Sequence, residues 1–148
     1  MQHNNLEPAF SYMMQLIDKN KKLISPQEYQ YCVDIIGRFW DWWRGKGSLS
    51  ADDLYLLLCE ESDLGAKCLY DFAAHCQADG NEALSNMWEC IVAILMIMVR
   101  IAYQNEGAAY VPQDLENINA EKMATFLEQI KPTTTAKELL ENQKGICY

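Results

Sequence analysis

Positive charge is scarce in this chain. Its 148 residues carry 12 Lys and Arg against 21 Asp and Glu, a net charge of −9. That deficit argues against a surface that grips nucleic acid or anionic lipid, since both require a basic face. Histidine is almost missing, with His3 and His75 alone, and only four prolines punctuate the sequence. No stretch alternates apolar and polar residues over strand length, so nothing supports a sheet. The patterns GxxxxGK[ST], GxGxxG, GxSxG, HExxH and CxxC are all absent. Their absence removes the common phosphate-cradle, nucleophile-elbow, zinc-protease and dithiol chemistries. The opening MQHNNLEPAF lacks the charged and apolar regions of an export signal, so the expected location is cytoplasmic.

Apolar residues, by contrast, are plentiful. They make up half the chain and charged residues 22%, which favours a packed fold over disorder. A single domain over residues 1–148, loose from about 143, suits this length and would bury roughly 68% of its unfolded surface. The six cysteines (32, 59, 68, 76, 90 and 147) could form three disulfides. Most lie inside apolar helical patterns, and the expected compartment keeps thiols reduced, so free thiols are expected. Cys90 to Val99 is an unbroken apolar run closed by Glu89 and Arg100. Ten residues fall short of the roughly 20 that span a bilayer. A helix apolar on all sides must then be wrapped by other helices. The expectation is a central buried helix over about 82–106.

Around it, periodicity near 3.6 marks further helices. Leu6, Phe10, Met13, Met14 and Ile17 outline the first. Ser25-Pro26-Gln27-Glu28 reads as a capping box with proline in the first turn, opening a second helix through Tyr29, Cys32, Val33, Ile36, Phe39, Trp40 and Trp43. Gly45 and Gly47 stop it, and Ser50-Ala51-Asp52-Asp53 starts a short helix carrying Leu54, Leu57 and Leu58. Another runs to about Ala78 with Leu64, Cys68, Phe72 and Cys76 inward, and Asp79-Gly80-Asn81-Glu82 leads into the central helix. Gly107 ends that one, Pro112 opens an irregular turn, and Asn119 caps a helix through about Ile130. A last short helix falls within 133–142. The fold class is all-α, a single-domain bundle of six to eight helices.

Candidate chemistry is thin. Asp71 and His75, four apart on one face, could form half of an acid–base pair, but no nucleophile stands at helical spacing and a structural pair is the better reading. Cys68, His75 and Cys76 lack the paired spacing of a zinc site, so no metal or cofactor is expected. Trp40 and Trp43 share a face and should cement the second helix to the central one. Trp42 points elsewhere, as an exposed aromatic that could anchor a partner.

Charge is distributed unevenly. Residues 1–50 hold six basic and five acidic side chains, and 91–148 hold five and seven. Between them, 51–90 holds Lys67 against nine acids, a local charge of −8. Acids at helix starts favour the dipole, so part of this surplus is capping. The remainder would complement a basic protein, such as a nucleic-acid-cleaving enzyme whose cleft is built for phosphates. Asp52, Asp53, Tyr55, Glu60, Glu61, Asp63, Asp71, Asp79 and Glu82, with Trp42, are the candidate binding residues.

The run Trp43-x-Gly45-x-Gly47-x-Leu49-Ser50-Ala51-Asp52-Asp53-Leu54-Tyr55, then Met87-Trp88-Glu89-Cys90-Ile91, Ala102-Tyr103 with Glu106-Gly107, and Val111-Pro112-Gln113-Asp114-Leu115-Glu116 resemble a group of small all-α immunity proteins. These are encoded beside bacterial polymorphic toxins, including contact-dependent growth-inhibition systems. The resemblance covers roughly residues 35–130. It implies a non-catalytic protein that binds and blocks the C-terminal domain of one cognate toxin, often an RNase or DNase; charge and the length of the apolar run are what argue against direct contact with nucleic acid or membrane. A homodimer is compatible with it. The sequence leaves two rivals: an acidic nucleic-acid mimic that regulates a nucleic-acid-binding protein, and, more remotely, a small helical enzyme using Asp71 and His75.

Overall fold

The computed structural model describes residues 4–60, 68–78, 80, 82–139 and 141. Within them, α1 spans Glu7–Lys19, α2 Pro26–Trp43, α3 Ala51–Cys59, α4 Leu69–Ala78, α5 Glu82–Asn105 and α6 Ala120–Glu128. Short 3-10 turns occupy Lys21–Leu23 and Gln113–Leu115, and no strand occurs among the described residues.

The helix starts follow side-chain chemistry. Ser25 Oγ accepts the Glu28 N–H at 3.1 Å while Glu28 accepts the Ser25 N–H at 3.0 Å, completing the expected box. Ser50 and Asp53 repeat it at α3, and Asn119 accepts the Lys122 N–H at α6. Each cap satisfies donors that the first helical turn leaves unpaired. At the other end of α5, Gly107 takes φ +64°, and the Ala108 N–H reaches back to the Tyr103 carbonyl at 3.1 Å. A left-handed residue there favours glycine.

Helix α5 is the centre of the molecule. From Cys90 to Val99 every side chain but Met96 is buried, and burial continues through Ile101, Ala102 and Tyr103. Helices α4, α3, α6 and α1 pack around it, while α2 lies against α1 and α3. Trp88, fully buried, stacks on Phe72 of α4 with ring centroids 5.0 Å apart. Length alone, however, does not exclude a membrane span as the ten-residue run suggested. The helix has 24 residues, and its most apolar window, with mean hydropathy 1.7, is long enough to cross a bilayer. What marks it as a core helix is that 78% of that window is enclosed by protein.

Two aromatic expectations also change. Trp40 and Trp43 place their rings on Phe10 of α1, at 5.0 and 5.8 Å, so the ring contacts they make join α2 to α1. The Trp43 indole N–H also donates to the Asn4 carbonyl at 2.9 Å, fastening the start of the chain. Trp42 is not an exposed residue, because it lies half-buried against the core. Cys32, Cys59, Cys68 and Cys90 are free thiols. Leu64 and the side chain of Cys76 lie outside the described residues.

Candidate functional site

The N-terminus of α3 gathers three carboxylates from two parts of the chain. Asp53 closes the capping box, and the Ser50 N–H and hydroxyl hold its carboxyl below the ordinary range, with Arg38 adding to the effect. Asp52, one residue earlier, accepts the Tyr103 hydroxyl at 2.6 Å. Glu106, just past the end of α5, accepts the Ala51 N–H at 2.6 Å. Three negative groups thus meet the positive end of the α3 dipole, where anions are stabilised.

One turn further along α3, Tyr55 donates to Asp114 Oδ1 at 3.0 Å, and Tyr70 of α4 donates to Asp114 Oδ2 at 3.0 Å. Asp114 sits in the turn Gln113–Leu115, so one carboxylate ties three elements together. Burial pushes the Tyr55, Tyr70 and Tyr103 phenols above their usual range, and the carboxylates they face push them further. The phenols therefore remain donors at neutral pH and hold the carboxylates they face in fixed positions.

The other candidates are more scattered. Glu60 is exposed at the C-terminal end of α3. Asp71 accepts the Cys68 N–H at 3.4 Å in the first turn of α4. Glu82 is exposed at the first residue of α5. From Glu82 to Tyr103 is roughly 30 Å of helix, so Glu82 stands at the far end of the bundle from Asp52. Trp42, half-buried at the end of α2, offers only part of its ring. Glu61, Asp63 and Asp79 lie outside the described residues, as do the side chains of His75 and Cys76.

Sequence reading missed Tyr70, Glu106 and Asp114 as members of this face, and Tyr103 as its hydroxyl donor. Glu106, Asp114 and Tyr103 all stand inside the motif runs. Their pairing spans 44 to 59 positions, which local periodicity does not encode. No activated nucleophile accompanies the face among the thiols with a clear shift. Burial raises Cys32 to about 12 and Cys90 to about 11, opposite to what a reactive thiolate needs.

Several of the residues that carried the resemblance thus bind one another and frame the face: Ser50 with Asp53, Ala51 with Glu106, Asp52 with Tyr103 and Tyr55 with Asp114. Comparison with known proteins bears the resemblance out. A family model described as immunity protein Imm6 matches residues 9–133, a wider span than the motifs alone cover. Neither the curated proteins nor the solved structures compared give a match. With the match running over most of its length, the chain belongs to the immunity protein Imm6 family.

Proposed function

We propose that this chain neutralises its cognate toxin by stoichiometric binding, with no catalysis, and that the toxin is a basic, nuclease-type domain met in the cytoplasm. Membership of an immunity family supplies the general role. The array at α3 supports the finer reading: Asp52, Asp53, Glu106 and Asp114 are exposed carboxylates held in place by caps and phenols. A partner that docks on charges already in position loses less side-chain entropy than one that must order them. Negative charge at this face also steers a basic partner toward it and raises the rate of encounter. Glu60 extends the array along α3, with Glu61 and Asp63 next in sequence. Glu82 falls at the edge of any interface of standard size centred on Asp52.

The test is calorimetric titration of the purified C-terminal domain encoded by the adjacent toxin gene. Charge reversal of Glu60, Glu61 and Asp63 to lysine should weaken binding by several kcal/mol, since like charges then face a basic surface. Glu82→Lys should change mainly the on-rate and its salt dependence. Unchanged affinity in the triple variant would remove the stretch from Glu60 to Asp63 from the interface.

A further inference from the structure

A second surface feature is separate from the carboxylate array. Between α1 and α2 runs a groove of about 360 Å³ floored by Phe10, Met14, Val33, Ile36, Gly37 and Trp40. Gly37 sits inside α2, where glycine weakens a helix relative to alanine. Neither ordinary reason for a glycine applies. Its backbone is helical, and a Cβ there would meet no atom within 4 Å. What the missing side chain does is leave the groove open.

The rim is acidic. Glu7 lines the groove from α1, and the exposed Asp34 and Asp41 stand three residues before and four after Gly37, on the same stripe of α2. At the end of the groove the Arg44 guanidinium lies over the Trp40 ring at 5.5 Å. Arg38, four residues after Asp34 and three before Asp41, neighbours both on the helix surface on the side away from the groove floor, and its charge also acts on Asp53 at the start of α3. An apolar floor with aromatic walls and a carboxylate rim complements an apolar side chain flanked by lysine or arginine.

We infer that the α1–α2 groove receives an apolar anchor from the cognate toxin domain, with basic neighbours of that anchor meeting Glu7, Asp34 and Asp41. This rests on the immunity reading and adds a second contact to it, of the kind in which a buried anchor carries much of the affinity.

Two variants fill the groove from opposite walls: Gly37→Leu from α2 and Ser11→Trp from the exposed Ser11 of α1. Gly37→Ala serves as the folding reference and should raise Tm by about 3 °C with binding unchanged. Titrated with the purified toxin domain encoded next to this chain, each filling variant should melt no lower than wild type and bind about 30-fold more weakly. Asp34→Lys combined with Asp41→Lys should weaken binding too, more so at low salt. Filling variants that fold and bind within twofold of wild type overturn the groove as a contact and leave the carboxylate face standing. A wild-type chain that is dimeric by light scattering, and monomeric as Gly37→Leu, assigns the groove to a second copy and overturns the toxin anchor. A wild-type chain that forms no complex with the toxin domain removes the immunity reading and the groove with it.

Discussion

Tyr103 is buried on α5, yet its hydroxyl emerges at the α3 N-terminus and donates to Asp52. A 2.6 Å hydrogen bond to a carboxylate is stronger than a neutral one. Tyr103→Phe should therefore cost about 1–2 kcal/mol in chemical denaturation. Pairing it with Asp52→Ala in a double-mutant cycle should show a coupling of at least about 0.5 kcal/mol, and additive losses would contradict the pairing. Ser50→Ala removes the α3 cap and should cost about 1 kcal/mol, read in the same way. The buried acids also set a pH dependence. Phenols at Tyr12 and Tyr31 rise to about 12 and thiols at Cys32 and Cys90 to about 12 and 11, in each case chiefly through burial. Because these groups keep their protons longer when folded, the unfolded chain holds fewer protons above its own pKa values. Stability should be level from pH 7 to 8.5, so far as these groups decide it. It should fall as pH rises past about 9 for the thiols and 10 for the phenols. Urea midpoints measured from pH 7 to 11 check the sign. Caps such as Ser25, Ser50 and Asn119 could be read from sequence because a cap is a contact within three residues. The hydroxyl of Tyr103 could not, because its partner lies 51 positions away.

At the scale of elements, periodicity located most helices and their inward faces, as with Ile36 and Phe39 on α2 or Met123 and Leu127 on α6. It did not name the neighbour on which a face packs. Trp40 and Trp43 carry a correct helical spacing, yet they meet Phe10 of α1. Nor could the apolar run alone separate a core helix from a membrane span, since α5 continues for a turn or more beyond each end of Cys90–Val99. Its surroundings decide that point, and α4 provides part of them through the Phe72–Trp88 stack. Trp88→Ala should leave a cavity at the α4–α5 contact and cost about 3–5 kcal/mol, measured by thermal or urea unfolding. A loss under about 1 kcal/mol would mean that α4 does not depend on that stack. The protein should also purify from the aqueous fraction without detergent, since the apolar sides of α5 are already covered.

For the whole molecule, the uneven charge was plain in the sequence, but its shape was not. Residues 51–90 hold most of the surplus, yet the bundle separates Glu82 from Asp52 by nearly the length of α5 and brings in Glu106 and Asp114 from after it. Folding turns a linear acidic segment into an array centred on the α3 N-terminus. The central claim is that this array meets a basic toxin domain. The most direct measurement is the Kd of the adjacent-gene toxin domain for wild type and for the Asp52→Asn, Glu106→Gln, Asp114→Asn variant, which removes three charges and keeps their acceptor oxygens, taken from 50 to 300 mM salt. The claim predicts wild-type binding that weakens steadily with salt, and a triple variant at least about 100-fold weaker at 50 mM with the gap narrowing as salt rises. Equal affinities at every salt concentration, with both proteins folded, would contradict it.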